Sequence, residues 1–222
     1  MKAKISEIFK SIQGEGLYQG RKQVFIRFFG CNLSCSFCDT KLDFYRDMSV
    51  DDILKNIEIY KDYHSISLTG GEPLLVNVDF LKELCSKLKK ESKIIYLETN
   101  GVLYKNLKIL IDYIDIISMD FKLPSSTNLR SFWKEHKKFL EIAQKKEVFI
   151  KAVICKDTKS YDIIKSIEII KSVNPKIYFI LQPQNPYEDL LTDKLMYFEN
   201  LCTKNNINIK IIWQLHKKLL IP

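Results

Sequence analysis

The sequence predicts an α/β fold in which parallel strands alternate with helices. Three observations carry that expectation. Seven short runs rich in Ile, Val, Phe and Tyr recur along the chain, the composition that suits a pleated, buried surface. Six longer amphipathic stretches separate them. Unusual polar residues follow several of the short runs, where ligands sit in parallel α/β folds. Strands alternating with helices make βαβ units with right-handed crossovers. About six such units fall short of an eight-stranded barrel. That leaves a partial barrel with outer helices or an open doubly wound sheet.

Taken in order, the strand-like runs are 22–29, 65–69, 93–98, 115–120, 147–154, 176–181 and 207–213. The helix-like stretches are 50–61, 78–90, 104–113, 129–145, 160–172 and 192–205. Ser49, with Asp52 three residues on, reads as a capping box opening the first helix. No internal repeat or low-complexity linker breaks the pattern, so one domain over 1–222 is expected. The polar strand ends are Thr69-Gly70-Gly71-Glu72-Pro73, Glu98-Thr99-Asn100-Gly101, Asp120-Phe121-Lys122, Gln182-Pro183 and the segment from Gln214 to His216. Turn formation explains the Gly and Pro. It does not explain the Glu, Asp, Lys, Gln and His.

Composition excludes several classes. With 46% hydrophobic and 28% charged residues, the 222-residue chain is neither disordered nor fibrous. No apolar run approaches the ~18 residues of a membrane span, so no membrane partner is expected. The first residues hold Lys2, Lys4, Glu7 and Lys10 and no apolar stretch, which argues against a secretory signal and for a cytoplasmic protein with reduced thiols. The 35 basic and 27 acidic side chains leave a charge of +8, which raises nucleic-acid binding as a reading. The lysines are mixed with acids, however, as on solvated helix faces. Beyond Glu199 the chain has Lys204, Lys210, Lys217 and Lys218 and no acid, a balance that suits an anionic substrate. All seven glycines lie in the first half, which marks a few places where the backbone must come close to a ligand.

Cys31-Asn-Leu-Ser-Cys35-Ser-Phe-Cys38 places three thiols within eight residues of loop after a strand. Structural zinc wants four ligands, and the nearest fourth candidates, His64 and Cys85, are remote in sequence. A four-iron cluster held by three cysteines leaves one iron open to a ligand. Cys85, Cys155 and Cys202 sit singly on helix or strand patterns and read as buried structural cysteines. The adjacent Gly70 and Gly71 let backbone approach a ligand, and Pro73 fixes the chain leaving it.

The cysteine loop resembles the signature of radical S-adenosylmethionine (SAM) enzymes, and Gly70-Gly71-Glu72-Pro73 resembles their second motif. Ser11-Ile12-Gln13-Gly14-Glu15-Gly16, Phe25-Ile26-Arg27, Gly30-Cys31-Asn32-Leu33 and Cys38-Asp39-Thr40 together resemble the 7-carboxy-7-deazaguanine synthase family. That resemblance continues through Ser118-Met-Asp120-Phe-Lys122-Leu-Pro124, Gln182-Pro183 and the ending Gln214-Leu-His216-Lys217 to Pro222. Asn100 departs from it, since many relatives have Ser there.

The resemblance implies a partial, TIM-like barrel of the radical SAM type. It implies a [4Fe–4S] cluster on Cys31, Cys35 and Cys38, with Mg²⁺ on the Thr40 hydroxyl. SAM would be held by the backbone of Phe37, Cys38 and Asp39, by Gly70, Gly71 and Glu72, and by Ser118, Asp120, Lys122 and Gln182. The substrate would meet Ile12, Gln13, Gly14, Glu15, Arg27, Thr69, Thr99, His216 and the terminal carboxylate of Pro222. The implied reaction is ring contraction of 6-carboxy-5,6,7,8-tetrahydropterin to 7-carboxy-7-deazaguanine with loss of ammonia, in queuosine and 7-deazapurine biosynthesis. SAM is regenerated in each cycle. The implied partners are an electron donor such as flavodoxin or ferredoxin and a second copy in a homodimer, with no direct nucleic-acid contact. Without the resemblance, Arg27 reads equally as a structural salt bridge, Thr40 as a helix cap, Gln-Gly-Glu-Gly as a turn and His216 as a surface residue. Two other functions compete: a glycyl-radical activating enzyme of the same superfamily, and a zinc-bearing nucleic-acid module.

Overall fold

In the computed structural model, residues 1–40 and 43–219 are described. The strands are β1 (Ala3–Ile12), β2 (Lys22–Phe28), β3 (Arg46–Met48), β4 (Ser65–Gly70), β5 (Ile95–Thr99), β6 (Ile116–Asp120), β7 (Glu147–Ile154), β8 (Phe179–Pro183) and β9 (Ile209–Ile211). The helices are α1 (Val50–Glu58), α2 (Val78–Lys90), α3 (Tyr104–Leu110), α4 (Pro124–Thr127), α5 (Trp133–Ala143), α6 (Ser160–Val173), α7 (Thr192–Lys204) and α8 (Leu215–Leu219). The strands form one sheet in the order β3-β1-β2-β4-β5-β6-β7-β8-β9. From β2 to β9 every neighbouring pair is parallel. β1 is antiparallel to both β2 and β3. The two edges do not meet, so the sheet is an open, partial barrel.

Each parallel strand alternates in a way that builds both the core and the site. One face sends Val24, Ile26 and Phe28, then Ile66 and Leu68, Ile95 and Leu97, Ile117 and Met119, Ile150 and Ala152, and Phe179 and Leu181 into the main apolar core. Successive strand residues point to opposite faces, so the residues between them line the concave side. There the chain places Phe25 and Arg27, Thr69, Glu98, Ser118 and Asp120, Lys151 and Val153, and Gln182. Lower on the same face, Tyr96, Ile116, Phe149 and Ile180 form a second, smaller cluster. Leu17 and Tyr18, from the turn after β1, pack onto that cluster and close the floor of the barrel.

The helices cover the convex face. α2 buries Phe80, Leu81, Leu84, Cys85 and Leu88, and α6 buries Ile163, Ile167 and Ile170, each at helical spacing. The capping box of α1 forms: Asp52 N–H donates to Ser49 Oγ at 3.2 Å, and Ser49 N–H donates to Asp52 Oδ2 at 2.9 Å.

All seven expected strands and six expected helices are present, with end shifts. β1, β3, α4 and α8 are additions. β1 was hidden because its register slips at a bulge between Ile5 and Glu7, which breaks the period-two pattern. β3 has only three residues, too few to show a period. α5 starts at Trp133 rather than 129, because Asn128 at φ 58° ends α4 in the left-handed region and the chain must re-enter a helix after it.

The floor cluster gives a direct expectation. Phe149 is fully buried beneath the turn after β1. Phe149→Ala is expected to lower stability by about 3–5 kcal/mol, read as a reduced urea midpoint at unchanged m-value.

Candidate active site

The concave face opens into a cavity of about 760 Å³ at the carboxyl ends of the strands. Its rim is set by a contact between two loops that leaves no room for side chains. Gly71 N–H donates to Phe28 O at 3.1 Å, and Glu72 N–H donates to Gly30 O at 2.9 Å. A Cβ on Gly71 would lie 1.9 Å from Gly30 O, and one on Gly70 would lie 2.2 Å from Phe28 O. Gly70 also has φ +119°, which L side chains rarely adopt. The glycine pair was expected to admit a ligand. Its tightest neighbour is instead the backbone that leads into the cysteine loop. Gly70 and Gly71 nevertheless line the cavity. The wider expectation, that glycines mark ligand approach, is corrected at Gly16 and Gly101, where a Cβ would strike the side chains of Phe149 and Met119.

The cysteine loop is therefore bonded to the loop after β4 at its root. Its far side is tied to α4, where Ser36 N–H donates to Thr127 O at 3.1 Å and Ser36 Oγ–H to Ser126 O at 3.0 Å. Asn100 Nδ2–H donates to Asn32 Oδ1 at 2.8 Å, which braces the loop from β5. Cys31, Cys35 and Cys38 are free thiols, and all three line the cavity. Burial pushes the Cys31 and Cys35 thiols above their ordinary pKa, with Lys122 acting the other way. Among the described residues, no three His, Cys, Asp or Glu side chains are gathered around a single-ion site. A cubane takes each thiolate on a different iron, so its ligands need not converge on one point, and three soft thiolates on one short loop are the donor set it requires.

Glu72 stands behind the cavity wall rather than in it. Its carboxylate is buried and accepts from Leu74 N–H at 3.0 Å, Thr99 Oγ1–H at 2.8 Å and Asn100 N–H at 2.7 Å. Burial raises its pKa to about 7 against these hydrogen bonds. Thr99, expected at the substrate, thus has its hydroxyl turned to Glu72. Gly70, Gly71, Thr99 and Asn100 line the cavity in front.

Most of the expected substrate and SAM residues share the same cavity, and many are joined to one another. Gln13 Nε2–H donates to Gln23 Oε1 at 2.9 Å and to Glu98 Oε1 at 2.7 Å. Thr69 Oγ1–H donates to Glu98 Oε2 at 2.8 Å. Lys151 pairs with Glu15 and lies 3.6 Å from Asp120, which pairs with Lys122 at 2.7 Å. Gln214 Nε2–H donates to the second oxygen of Glu15 at 2.6 Å. Asp120 Oδ1 and Gln182 Oε1 are buried without a protein partner, the condition of groups that await a ligand. Ile12, Gly14, Phe37, Thr40 and Ser118 also line the cavity.

Arg27 lines it too, but it pairs with Glu7 at 2.7 Å and lies over the Phe9 ring. Asp39 pairs with Lys217 of α8 at 2.8 Å, so the last helix reaches back to the cysteine loop. His216 has its backbone in α8, and Pro222 lies outside the described residues. The residues that sequence reasoning missed are Lys151 and Gln23, and Glu98, singled out as a polar strand end, was given no contact. Each lies on an inward position of a strand, and a period-two count along β7, β5 and β2 would have found them.

An open parallel sheet with a three-cysteine loop at its carboxyl edge defines a radical SAM protein. Residues 25–190 match the Radical SAM superfamily, and the chain belongs to it. The chain is 37% identical to the 7-carboxy-7-deazaguanine synthase of Geobacter sulfurreducens, over 97% of this chain and 96% of that one. It is 32% identical to the synthase of the same name from Methanocaldococcus jannaschii, over 97% and 98% of the two chains. Within the superfamily, the chain belongs to the 7-carboxy-7-deazaguanine synthase family. The crystal structure of QueE from Escherichia coli has the same fold, with a TM-score of 0.66, 22% identity and coverage of 95% of this chain and 94% of that one.

Two substitutions test the local geometry. Gly71→Ala, which drives Cβ into a backbone oxygen, is expected to lose about 3 kcal/mol or more of stability. Gly20→Ala, where only the positive φ of +88° is strained and no atom lies within 4 Å, is expected to lose about 1 kcal/mol. Equal urea midpoints for the two would refute the contact. Glu72 has a folded pKa of about 7, above the 4.5 of a free glutamate. The folded state thus holds a proton that the unfolded state has released. The stability this contributes is full below pH ~4.5 and is lost as pH rises to ~7, about 3 kcal/mol in all. Urea melts across that window should show the slope, and Glu72→Gln should flatten it.

Proposed function

We propose that the chain is a radical SAM carbon–nitrogen lyase that converts 6-carboxy-5,6,7,8-tetrahydropterin to 7-carboxy-7-deazaguanine with release of ammonia. The observation that carries the reading is one shared cavity. Its rim holds three free thiols on one loop, and its inner wall carries buried acceptors and cations. A [4Fe–4S] cluster with one open iron supplies, with SAM bound to it, the radical chemistry that protein side chains lack. Cys31, Cys35 and Cys38 would hold that cluster.

The other residues bind and orient. Gly70 and Gly71 offer backbone groups at the rim, and Glu72 keeps that loop in place from behind. Asp120 Oδ1 and Gln182 Oε1 are acceptors for SAM, and Ser118 and Lys122 border the same space. Burial alone would depress the pKa of Lys122, but Asp120 beside it holds it above the ordinary value, so it remains a cation. Gln13 and Glu15 present polar groups to a guanine-like edge. Arg27 is a guanidinium for the substrate carboxylate, with Glu7 as its fixed counter-charge. Thr40 is a hydroxyl ligand for Mg²⁺, a hard cation that takes few protein ligands and fills its shell with substrate oxygens and water.

The reading further includes action as one domain in the cytoplasm, a flavodoxin or ferredoxin as reductant, a homodimer, and a product destined for queuosine or related 7-deazapurines. No helix among the described residues is long and apolar enough to cross a membrane.

The test is anaerobic turnover of iron- and sulfide-reconstituted protein with SAM, reductant, Mg²⁺ and the carboxytetrahydropterin. The expected outcome is 7-carboxy-7-deazaguanine, with Cys35→Ala losing both bound iron and turnover. A colourless, zinc-loaded protein, or a loaded one that makes no such product, overturns the reading.

A further inference from the structure

Phe9 lines the cavity but belongs to none of the motifs that the family resemblance rests on. It reaches the concave face through the irregularity in β1. Ile5 stands opposite Phe28, and both enter the main core. With an unbroken period of two, Glu7 and Phe9 would follow Ile5 to that side. The register instead slips between Ile5 and Glu7, so that Glu7 pairs with Arg27 and Phe9 with Phe25. Arg27 and Phe25 line the cavity. The slip therefore turns Glu7 and Phe9 to the side that holds the site, as bulges beside binding sites do.

We infer that Phe9 is a positioning residue that holds the Arg27 guanidinium ready for the substrate carboxylate, and so favours a carboxylated pterin over one without that group. The inference rests on the assignment of that carboxylate to Arg27 made above. Arg27 Nη1–H donates to Glu7 Oε2 at 2.7 Å. That pair is open to solvent, with Glu7 47% exposed, and such pairs fix geometry weakly. The Phe9 ring is the firmer support. Arg27 Cζ lies 4.9 Å from its centroid, and the ring is itself stacked on Phe25, with centroids 5.1 Å apart and planes 13° from parallel. A ring held on a neighbouring ring attracts the cation by its quadrupole. It also removes, before binding, side-chain freedom that a carboxylate would otherwise have to take away. A guanidinium has five N–H donors in a fixed fork, so one group can serve Glu7 and a second carboxylate.

Equilibrium binding to reconstituted protein with SAM and without reductant tests this, with two ligands: 6-carboxytetrahydropterin and tetrahydropterin lacking the carboxyl group. Phe9→Leu keeps an apolar side chain and removes the ring. It is expected to weaken the carboxylated ligand about fivefold and the other by less than about twofold. Phe9→Met, a second variant without a ring, carries the same expectation. Phe9→Tyr keeps the ring and is expected to bind both ligands within about twofold of wild type. An equal loss for both ligands would make Phe9 a wall contact or a structural residue and overturn the inference. Undiminished binding of the carboxylated ligand without the ring overturns it too. Added to Arg27→Gln, the Phe9→Leu change is expected to cost less than about twofold, since Phe9 acts through Arg27. A further loss of about fivefold there overturns the inference. If Arg27→Gln keeps the wild-type preference for the carboxylated ligand, the assignment of Arg27 fails and takes the inference with it. A wild type that takes up SAM but neither pterin overturns the substrate reading, which separates the failures.

Discussion

Everything at the rim of this molecule depends on a backbone contact that tolerates no Cβ. The chain leaving β2 and the chain leaving β4 touch at Gly30 and at Gly70-Gly71, joined by two hydrogen bonds. The first of these segments leads into the cysteine loop and the second into the Glu72 turn. Because the strands are neighbours in a parallel sheet, their carboxyl ends emerge side by side. The glycines then let the two loops close to hydrogen-bonding distance. The position of three thiols relative to the cavity wall follows from that packing.

A second constraint is electrostatic. The concave face buries carboxylates and ammonium groups in alternation, Glu15, Lys151, Asp120 and Lys122, instead of an apolar filling. Such a chain is stable only while each member is matched, because an unpaired buried charge is costly. The matched set also leaves specific atoms unspent, Asp120 Oδ1 and Gln182 Oε1. The apolar cluster of Tyr96, Phe149 and Ile180 beneath keeps the floor closed, so the polar layer opens only toward the cavity.

Much of this was legible in the residues. The alternation of apolar runs and amphipathic stretches placed all the parallel strands and their main helices, since both periods are local properties. The cysteine spacing, the glycine pair and the polar strand ends marked the cavity, and nearly all of the expected residues line it. The exceptions are instructive. Glu72 turned out to serve the wall, because Thr99 and Asn100 reach it from the next strand. Arg27 has its counter-charge on β1, a strand whose bulge concealed it. Lys151 went unnoticed because no motif surrounds it, although its inward parity was there to be counted.

The sequence by itself determined which residues face the core and which face the cavity, because side-chain parity along a strand is set by covalent geometry. It also determined the donor chemistry, since three clustered thiols admit few partners. Only the tertiary structure decided which charges meet. Glu15 and Lys151 stand 136 residues apart in the chain, and strand order and register alone bring them into contact. The same holds for the loops at Gly30 and Gly71. Their approach depends on β2 lying beside β4, a long-range choice made by packing the whole sheet rather than by any local preference.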